Sequence, residues 1–471
     1  MQHSADTLSR PTAAGTDAHV PVPDDADRHR AVFAQIDRVI AIIDAAITRQ
    51  AEQILRHAAF VQLEARWRGL ALLVSRTGPD ETVRVRLLNA SWPVVARDLE
   101  RAADFDQSHL HKLVYDNEFG MPGGLPFGLL LCDYTLSHRA KTGSADPVEA
   151  ARRLASVAAA SFCPAIARAG REILGLSDRD DAVVDLPDAR MIARDDPAYS
   201  RWQTLRQEED TRFLGLVAPD LLLPRPTDYT VPRGFTISPS GSDPIRLNGA
   251  FGLAVAVVDA YRESGWFAAI RGAYQDAKGG GRVGGLQPVD FHSDRHGLSA
   301  QTPVSRRLTG PQEEMMVQLG VVPLSTLYMD ADPVFNTLPS VHAPRVYDTS
   351  IATQNARLAA MLHYMLCTSR FAHYLKVMMR DEVGTIADPS VLEHRLDSWL
   401  RGYCLGNDDA GDELKAQYPL RDAGVRVQPL PGRPGCFGCT IRLQPHFQLD
   451  DVSTSFHLVA ETSKNLRNPS R

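Results

Sequence analysis

The sequence contains no uninterrupted apolar stretch of about 18 residues, the length at which a membrane-crossing helix becomes the default reading, so no membrane insertion is expected. Nor is there an excess of charge of one sign. A net charge of -6 over 471 residues argues against nucleic-acid binding by bulk attraction. Cysteine is scarce: Cys132, Cys163, Cys367, Cys404, Cys436 and Cys439 lie scattered, mostly in apolar runs. That usage fits buried, reduced thiols better than a disulfide framework and points to a cytoplasmic protein. The first thirty residues lack an apolar h-region, which predicts that no signal peptide exports the chain. No repeat of solenoid period is visible.

What is present is ordinary for a globular protein: 44% hydrophobic and 23% charged residues. The length allows two or three domains of about 150 residues each. One stretch dominates, Leu358 to Gly384. Leu358, Met361, Leu362, Met365, Ala372, Leu375 and Met379 recur at three- and four-residue spacing, which predicts one long helix. Tyr364, Cys367, Phe371, Tyr374 and Met378 make a second apolar face, leaving only a narrow strip with Arg370, Lys376 and Arg380. Such a helix belongs at the centre of a fold, with Gly384 as its left-handed stop.

The rest divides into residues 1–28, a polar tail read as disordered; 29–75, two N-terminal helices; 76–357, the main α/β region; and 358–465, the central helix with antiparallel strands. Phe33, Ile36, Val39, Ile40, Ile43 and Ile47 follow helical spacing, and a second helical stretch runs from Ile54 to Leu73. Val83, Val85 and Leu87 alternate with arginines like a half-buried strand, and residues 127–132 read as a fully buried one. Asp146-Pro147 marks the start of an alanine-rich helix to about Gly170. Six prolines break 183–245 into loops. Helices are expected at Phe251–Tyr261 and Glu313–Leu319, and a strand at Trp266–Ile270. Asp388-Pro389 opens a helix carrying Leu392, Leu396, Trp399, Leu400 and Tyr403. Three alternating segments around Val425, Ile441 and Phe456 finish the chain, with a turn at Pro431–Gly435 between the first two.

Chemistry-bearing clusters are few. Lys278 to Gly285 (KGGGRVGG) offers consecutive glycine amides to a phosphate through Gly279, Gly280 and Gly281, but lacks the GxxxxGK[ST] order. His292, Asp294 and His296 offer two imidazoles and a carboxylate to a metal, without a clear fourth ligand. Together they define the alternative reading, a metal- or nucleotide-dependent enzyme. Cys436 and Cys439 have redox spacing in a hairpin, where no helix start stabilises a thiolate. The Asn407–Asp412 run is no calcium loop, because Tyr418 stands where the bidentate glutamate is required. His373 reads as a hydrogen-bonded structural histidine, and Arg370, Lys376 and Arg380 as partners for acids of another helix or subunit. No catalytic, cofactor-binding or metal residue is assigned.

The segment Ser369 to Lys376 resembles the RFAHYLK segment of the large subunit of the type VI secretion contractile sheath, the VipB/TssC family. Leu63 to Leu70 (LEARWRGL) is similar to that family's LEATWRGL. Further likenesses follow in the family's order: Phe105–Ser108, Pro122–Gly128 with Asp133-Tyr134, Gly265-Trp266 with Ala269–Gly272, and Arg442–Leu449. The resemblance spans roughly residues 31 to 461. It implies an α/β, phage-tail-sheath-like fold: mixed sheets with packed helices and a C-terminal antiparallel sheet. It also implies a structural role. The partners would be a small sheath subunit, other copies of the chain in a helical assembly, an inner tube protein that contraction propels, and baseplate components. Two departures stand out. The tail before Val32 shows no amphipathic helix for an AAA+ unfoldase to read, so unfoldase binding is doubtful. Thr309–Glu313 replaces the family's acidic-arginine run, which suits a divergent paralogue.

Overall fold

A computed structural model describes residues 25–461 apart from 80–81, 141–142, 177–186, 188–190, 193–195, 226–228, 232–234, 238–243, 274–279, 287–288, 291–299, 328–331, 382–387, 408–409, 430–436 and 447–455. The tail up to residue 24, His292, Asp294, His296, Lys278, Gly279, Cys436, Gly384 and the turn at 431–435 therefore lie outside the described residues. The chain separates into two compact units, residues 1–60 with 226–242, and 61–225 with 243–471.

In the first unit, helix α1 (Asp25–Arg56) is a single 32-residue rod, with a short antiparallel hairpin of Tyr229–Val231 and Phe235–Ile237. It begins inside the stretch read as tail and runs past Ile54 without interruption. The break falls at His57, before α2 (Ala58–Thr77).

The second unit is built on a four-stranded parallel sheet of β1 (Leu130–Leu136), β2 (Ala165–Ala169), β3 (Leu214–Ala218) and β4 (Val321–Pro323), in that order. Strand periodicity sends Ala165, Ala167, Ala169, Leu214 and Leu216 to one core and Ile166, Val217 and Val322 to another on the opposite face. The first core is covered by α3 (Trp92–Arg101) and α4 (Pro147–Ala160). The second is covered by α5 (Gly249–Ser264), with Leu362 and Leu366. Parallel strands covered on both faces read as apolar runs rather than alternations. Helix α4 is capped as expected, Asp146 accepting from the amides of Val148 and Glu149. It stops at Ala160 instead of Gly170 because residues 165–169 are drawn into the sheet as β2. The proline-rich stretch expected as loops contains β3, buried along its whole length.

Further helices include α6 (Gly310–Gln318), α7 (Ser350–Ala359), α8 (Leu362–Asp381) and α9 (Pro389–Arg401). The expected single helix from Leu358 is thus two. At the joint the Ala360 carbonyl accepts from the amide and hydroxyl of Ser340, and the Leu362 amide donates to Leu338. Those bonds divert the backbone of 360–362 from helical pairing toward residues 338–340, and Leu358 belongs to the earlier helix. Helix α8 then enters against the sheet at Gly215, where a Cβ would lie 2.6 Å from a Leu362 methyl. From Leu362 to Arg380 no residue of α8 is exposed, so its central position holds and the expected solvent strip does not.

Beyond the sheet a third core joins the second half of α8 to Trp266, α9 and an antiparallel sheet of β5 (Leu420–Pro429), β6 (Phe437–Pro445) and β7 (Phe456–Glu461). Two expected strands are absent. Val83–Leu87 joins no strand among the described residues, and Trp266–Ile270 is irregular because Trp266 turns to stack on Phe371, ring centroids 4.0 Å apart. The strand expected fully buried at 127–132 starts at Leu130 and is only half-buried, being the edge of its sheet.

Candidate assembly site

The α8 residues singled out by the sequence are engaged within the chain. His373 is buried, and its Nε2 donates to the Ser161 carbonyl at 3.0 Å, as expected of a structural histidine. Burial pulls it down to about 4, and pulls His363 on the same helix down to about 3. The geometry gives the cations aromatic and carbonyl partners among the described residues. Arg370 lies over the Tyr374 ring at 4.5 Å, Lys376 over the Phe119 ring at 4.8 Å, and Arg380 donates to the Met121 carbonyl. They fasten α8 within the chain.

The described part of the glycine loop is also committed at Gly281. The Gly281 amide donates to the Gly272 carbonyl at 2.8 Å, and the Gly281 carbonyl accepts from Phe335. A Cβ at Gly281 would sit 2.4 Å from the Phe335 oxygen. Glycine therefore serves close backbone packing at this position, and its amide is not turned to an anion. Among the described residues no group of three metal-ligating side chains converges. Burial pushes the thiols of Cys132, Cys367 and Cys439 up to about 12, so they remain protonated and unreactive.

What the fold leaves unsatisfied is apolar surface and strand edge. On α1, Phe33, Ile40, Ile47 and Ile54 occupy the first position of a seven-residue repeat, and Ile36 and Ile43 the fourth, with Gln50 next in that series. All six apolar side chains are 45–64% exposed. A seam of this kind is the surface one helix presents to another in a coiled coil, and a lone polar residue within it sets register.

The second unit holds a cleft of about 1660 Å³ lined by α2, residues 82–93, residues 125–135 and α5. The LEARWRGL motif builds one wall. Glu64 pairs with Arg68 at 2.8 Å and with Arg225 at 3.6 Å. Gly69 lets α2 approach α5, since a Cβ there would meet Leu247 at 2.5 Å. Trp67, on the motif's outer side, is 61% exposed. The floor is charged: Arg66 pairs with Asp133 at 3.4 Å and Arg168 with Asp220 at 2.8 Å. Burial pushes the Asp220 carboxyl up in spite of Arg168 beside it. The edge of β1 is open to this cleft, and β5 and β7 are the outer strands of the C-terminal sheet.

These features define a class, a subunit whose surfaces are built to meet other chains. Residues 37–342 match the family described as EvpB/VC_A0108, tail sheath N-terminal domain, and residues 351–462 match EvpB/VC_A0108, tail sheath gpW/gp25-like domain. Over 438 residues the chain is 33% identical to the type VI secretion system sheath protein TssC1 of Pseudomonas aeruginosa, a match covering 90% of this chain and 85% of that protein. A cryo-EM structure of the anti-feeding prophage baseplate overlaps 74% of each chain at a TM-score of 0.33 and 13% identity, too distant to inform the fold. The chain belongs to the EvpB/VipB family of type VI secretion tail-sheath proteins. It is a structural sheath component.

Sequence reasoning found the motif carrying Trp67 but not the cleft. The signal available was the strand-like alternation of Val83, Val85 and Leu87, a segment that lines the cleft.

Proposed function

We propose that this chain pairs with a small sheath subunit, and that the pairs stack with further copies into a helical tube around an inner tube protein and against baseplate components. Its work is a change of packing that drives the inner tube outward, with no covalent catalysis, and it is done in the cytoplasm. The α1 seam carries this reading. Burying its six large side chains is worth about 1.5–3 kcal/mol each, enough to offset much of the roughly 4–15 kcal/mol that association costs. An exposed apolar stripe of this length on a solitary protein is a liability, so a partner helix is its natural cover. The outer edges of β1 and β7, which have no further strand beside them among the described residues, supply further contacts by strand addition. The enzyme alternative has no support in the committed backbone of Gly281.

The test is co-purification of the small subunit with the chain carrying Ile40→Asp and Ile47→Asp. Loss of the partner is expected, while Arg38→Ala on the opposite face of α1 retains it. Unchanged recovery with both seam positions charged refutes the seam as an interface.

A further inference from the structure

We propose that Glu118 is a latch that ties the walls of the cleft together and restrains its opening to the small sheath subunit. This rests on the sheath reading above and adds a regulatory step to it. Glu118 bridges two walls of the cleft. One carboxylate oxygen accepts from Arg86, in the wall of residues 82–93, and the other accepts at 3.0 Å from the amide of Leu125, in the wall of residues 125–135. Arg86 also lies over the Phe127 ring, 5.4 Å from its centre. Further along the same wall, the Tyr134 hydroxyl donates to the Ala90 carbonyl at 2.7 Å, and the Trp92 and Tyr134 rings lie 5.3 Å apart. The first wall is thus stapled at Arg86 and again at Ala90, with the exposed Leu87 and Leu88 between the staples. The staple at Arg86 is the one built to open. Its guanidinium is 52% exposed, so water and salt reach the bond and hold its strength low.

The mount of the latch has slack in it. Glu118 lies at the end of a π-helical stretch, Lys112–Phe119, where the Gly120 amide reaches back to the Tyr115 carbonyl at 2.7 Å. Such turns are rare, concentrate at functional sites and hold one residue more than an α turn. The start of the stretch is pinned, Asp98 accepting from the amides of His109 and Leu110 and the Ser108 hydroxyl from that of His111. Its inner face is held by α8, with Lys376 over the rings of Tyr115 and Phe119. Its far end runs into Gly120, Gly123 and Gly124, and Gly123 has φ 79°. A Cβ at Gly124 would strike the Glu118 carbonyl, so this permissive turn closes directly on the residue that bears the latch. Tightening the last turn to an α bond rotates Glu118 by one residue, about 100°, and takes its carboxylate off both walls, while the surplus residue passes into the glycine turn. Leu113, Asn117 and Glu118 line the cleft, so a chain entering there presses on the element that carries the latch. An acidic side chain of that partner replaces Glu118 on Arg86, which keeps the guanidinium paired in both states. Residues 82–89 then swing about the Ala90 staple and present Val85 and Leu87 to the partner.

The experiment measures binding of the small sheath subunit of the same organism to the full chain, as the parent and as Glu118→Gln, Glu118→Asp and Asp116→Asn. A binding-competent state that is only partly populated lowers apparent affinity by that fraction, so weakening the latch tightens binding. Glu118→Gln should bind about two- to fivefold more tightly, the range expected of a half-exposed ion pair, and should speed hydrogen exchange of the 83–88 amides in the free chain by a similar factor. Glu118→Asp, which keeps the charge but shortens the reach to Arg86, should do the same more weakly. Asp116→Asn removes one exposed charge from the same stretch and should change neither reading. Unchanged or weaker binding by folded Glu118→Gln, or an equal gain from Asp116→Asn, overturns the latch and leaves the sheath reading intact. Loss of the fold in both Glu118 variants makes the residue structural and also overturns it. A parent chain that does not bind the small subunit overturns the sheath reading and the latch with it.

Discussion

Phe371 is the residue on which the third core turns, and Phe371→Ala is the perturbation that tests it. Its side chain is fully buried, stacked on Trp266 at 4.0 Å and 15°, with Trp399 and Tyr403 at its edges. Truncation removes the ring from a site walled by α8, α9 and Trp266, elements that cannot collapse without parting from the C-terminal sheet. The loss is about 3–5 kcal/mol for the buried ring and its cavity, with roughly 0.5–1.5 kcal/mol more for the aromatic pairing. Against a typical stability of about 5–15 kcal/mol this is a large fraction. Denaturant unfolding followed by tryptophan emission reads it directly, because Trp266 loses its stacking partner. Phe371→Leu keeps most of the volume and should cost about 1.5 kcal/mol or less. A Phe371→Ala midpoint indistinguishable from that of the leucine variant refutes the stacked cluster as the organising contact.

Three further outcomes follow from named contacts. Asp146→Ala should cost about 1 kcal/mol by removing the α4 cap, whereas Asp146→Asn keeps the cap, loses only the exposed pair with Arg201, and should fall within about 0.5 kcal/mol of the parent in thermal unfolding. His373 titrates near 4 when folded and near 6.5 when unfolded, so the unfolded chain takes up its proton first. Its contribution to stability is therefore full above about pH 6.5 and declines by about 3 kcal/mol as pH falls toward 4. Unfolding measured at pH 7.5 and pH 5 checks this, and His373→Gln should flatten part of the decline. Deleting residues 2–24 should leave thermal unfolding and small-subunit binding unchanged, and a pull-down with the N-terminal domain of a sheath unfoldase should show weak binding with or without them.

Local signals were the legible ones. The Asp146 and Asp388 caps, the alanine-rich helix and the final antiparallel strands announced themselves through capping residues and periodicity. The break at Ala360 was illegible because its cause, the bonds to Ser340 and Leu338, comes from a strand-like segment twenty residues away. Strand β3 hid among prolines because a strand buried on both faces loses the polar alternation that usually betrays it. The Trp266 segment has strand-like composition, yet its ring is worth more stacked on Phe371 than aligned in a sheet. Ordered motifs disclosed the family. The cleft stayed hidden because it lies between segments far apart in the chain.

The most direct test of the central claim is electron microscopy of the chain co-produced with its small sheath subunit. Hollow tubes containing both polypeptides are expected, with no tubes from either chain alone. A monodisperse monomer of this chain that neither binds the small subunit nor forms tubes with it contradicts the account.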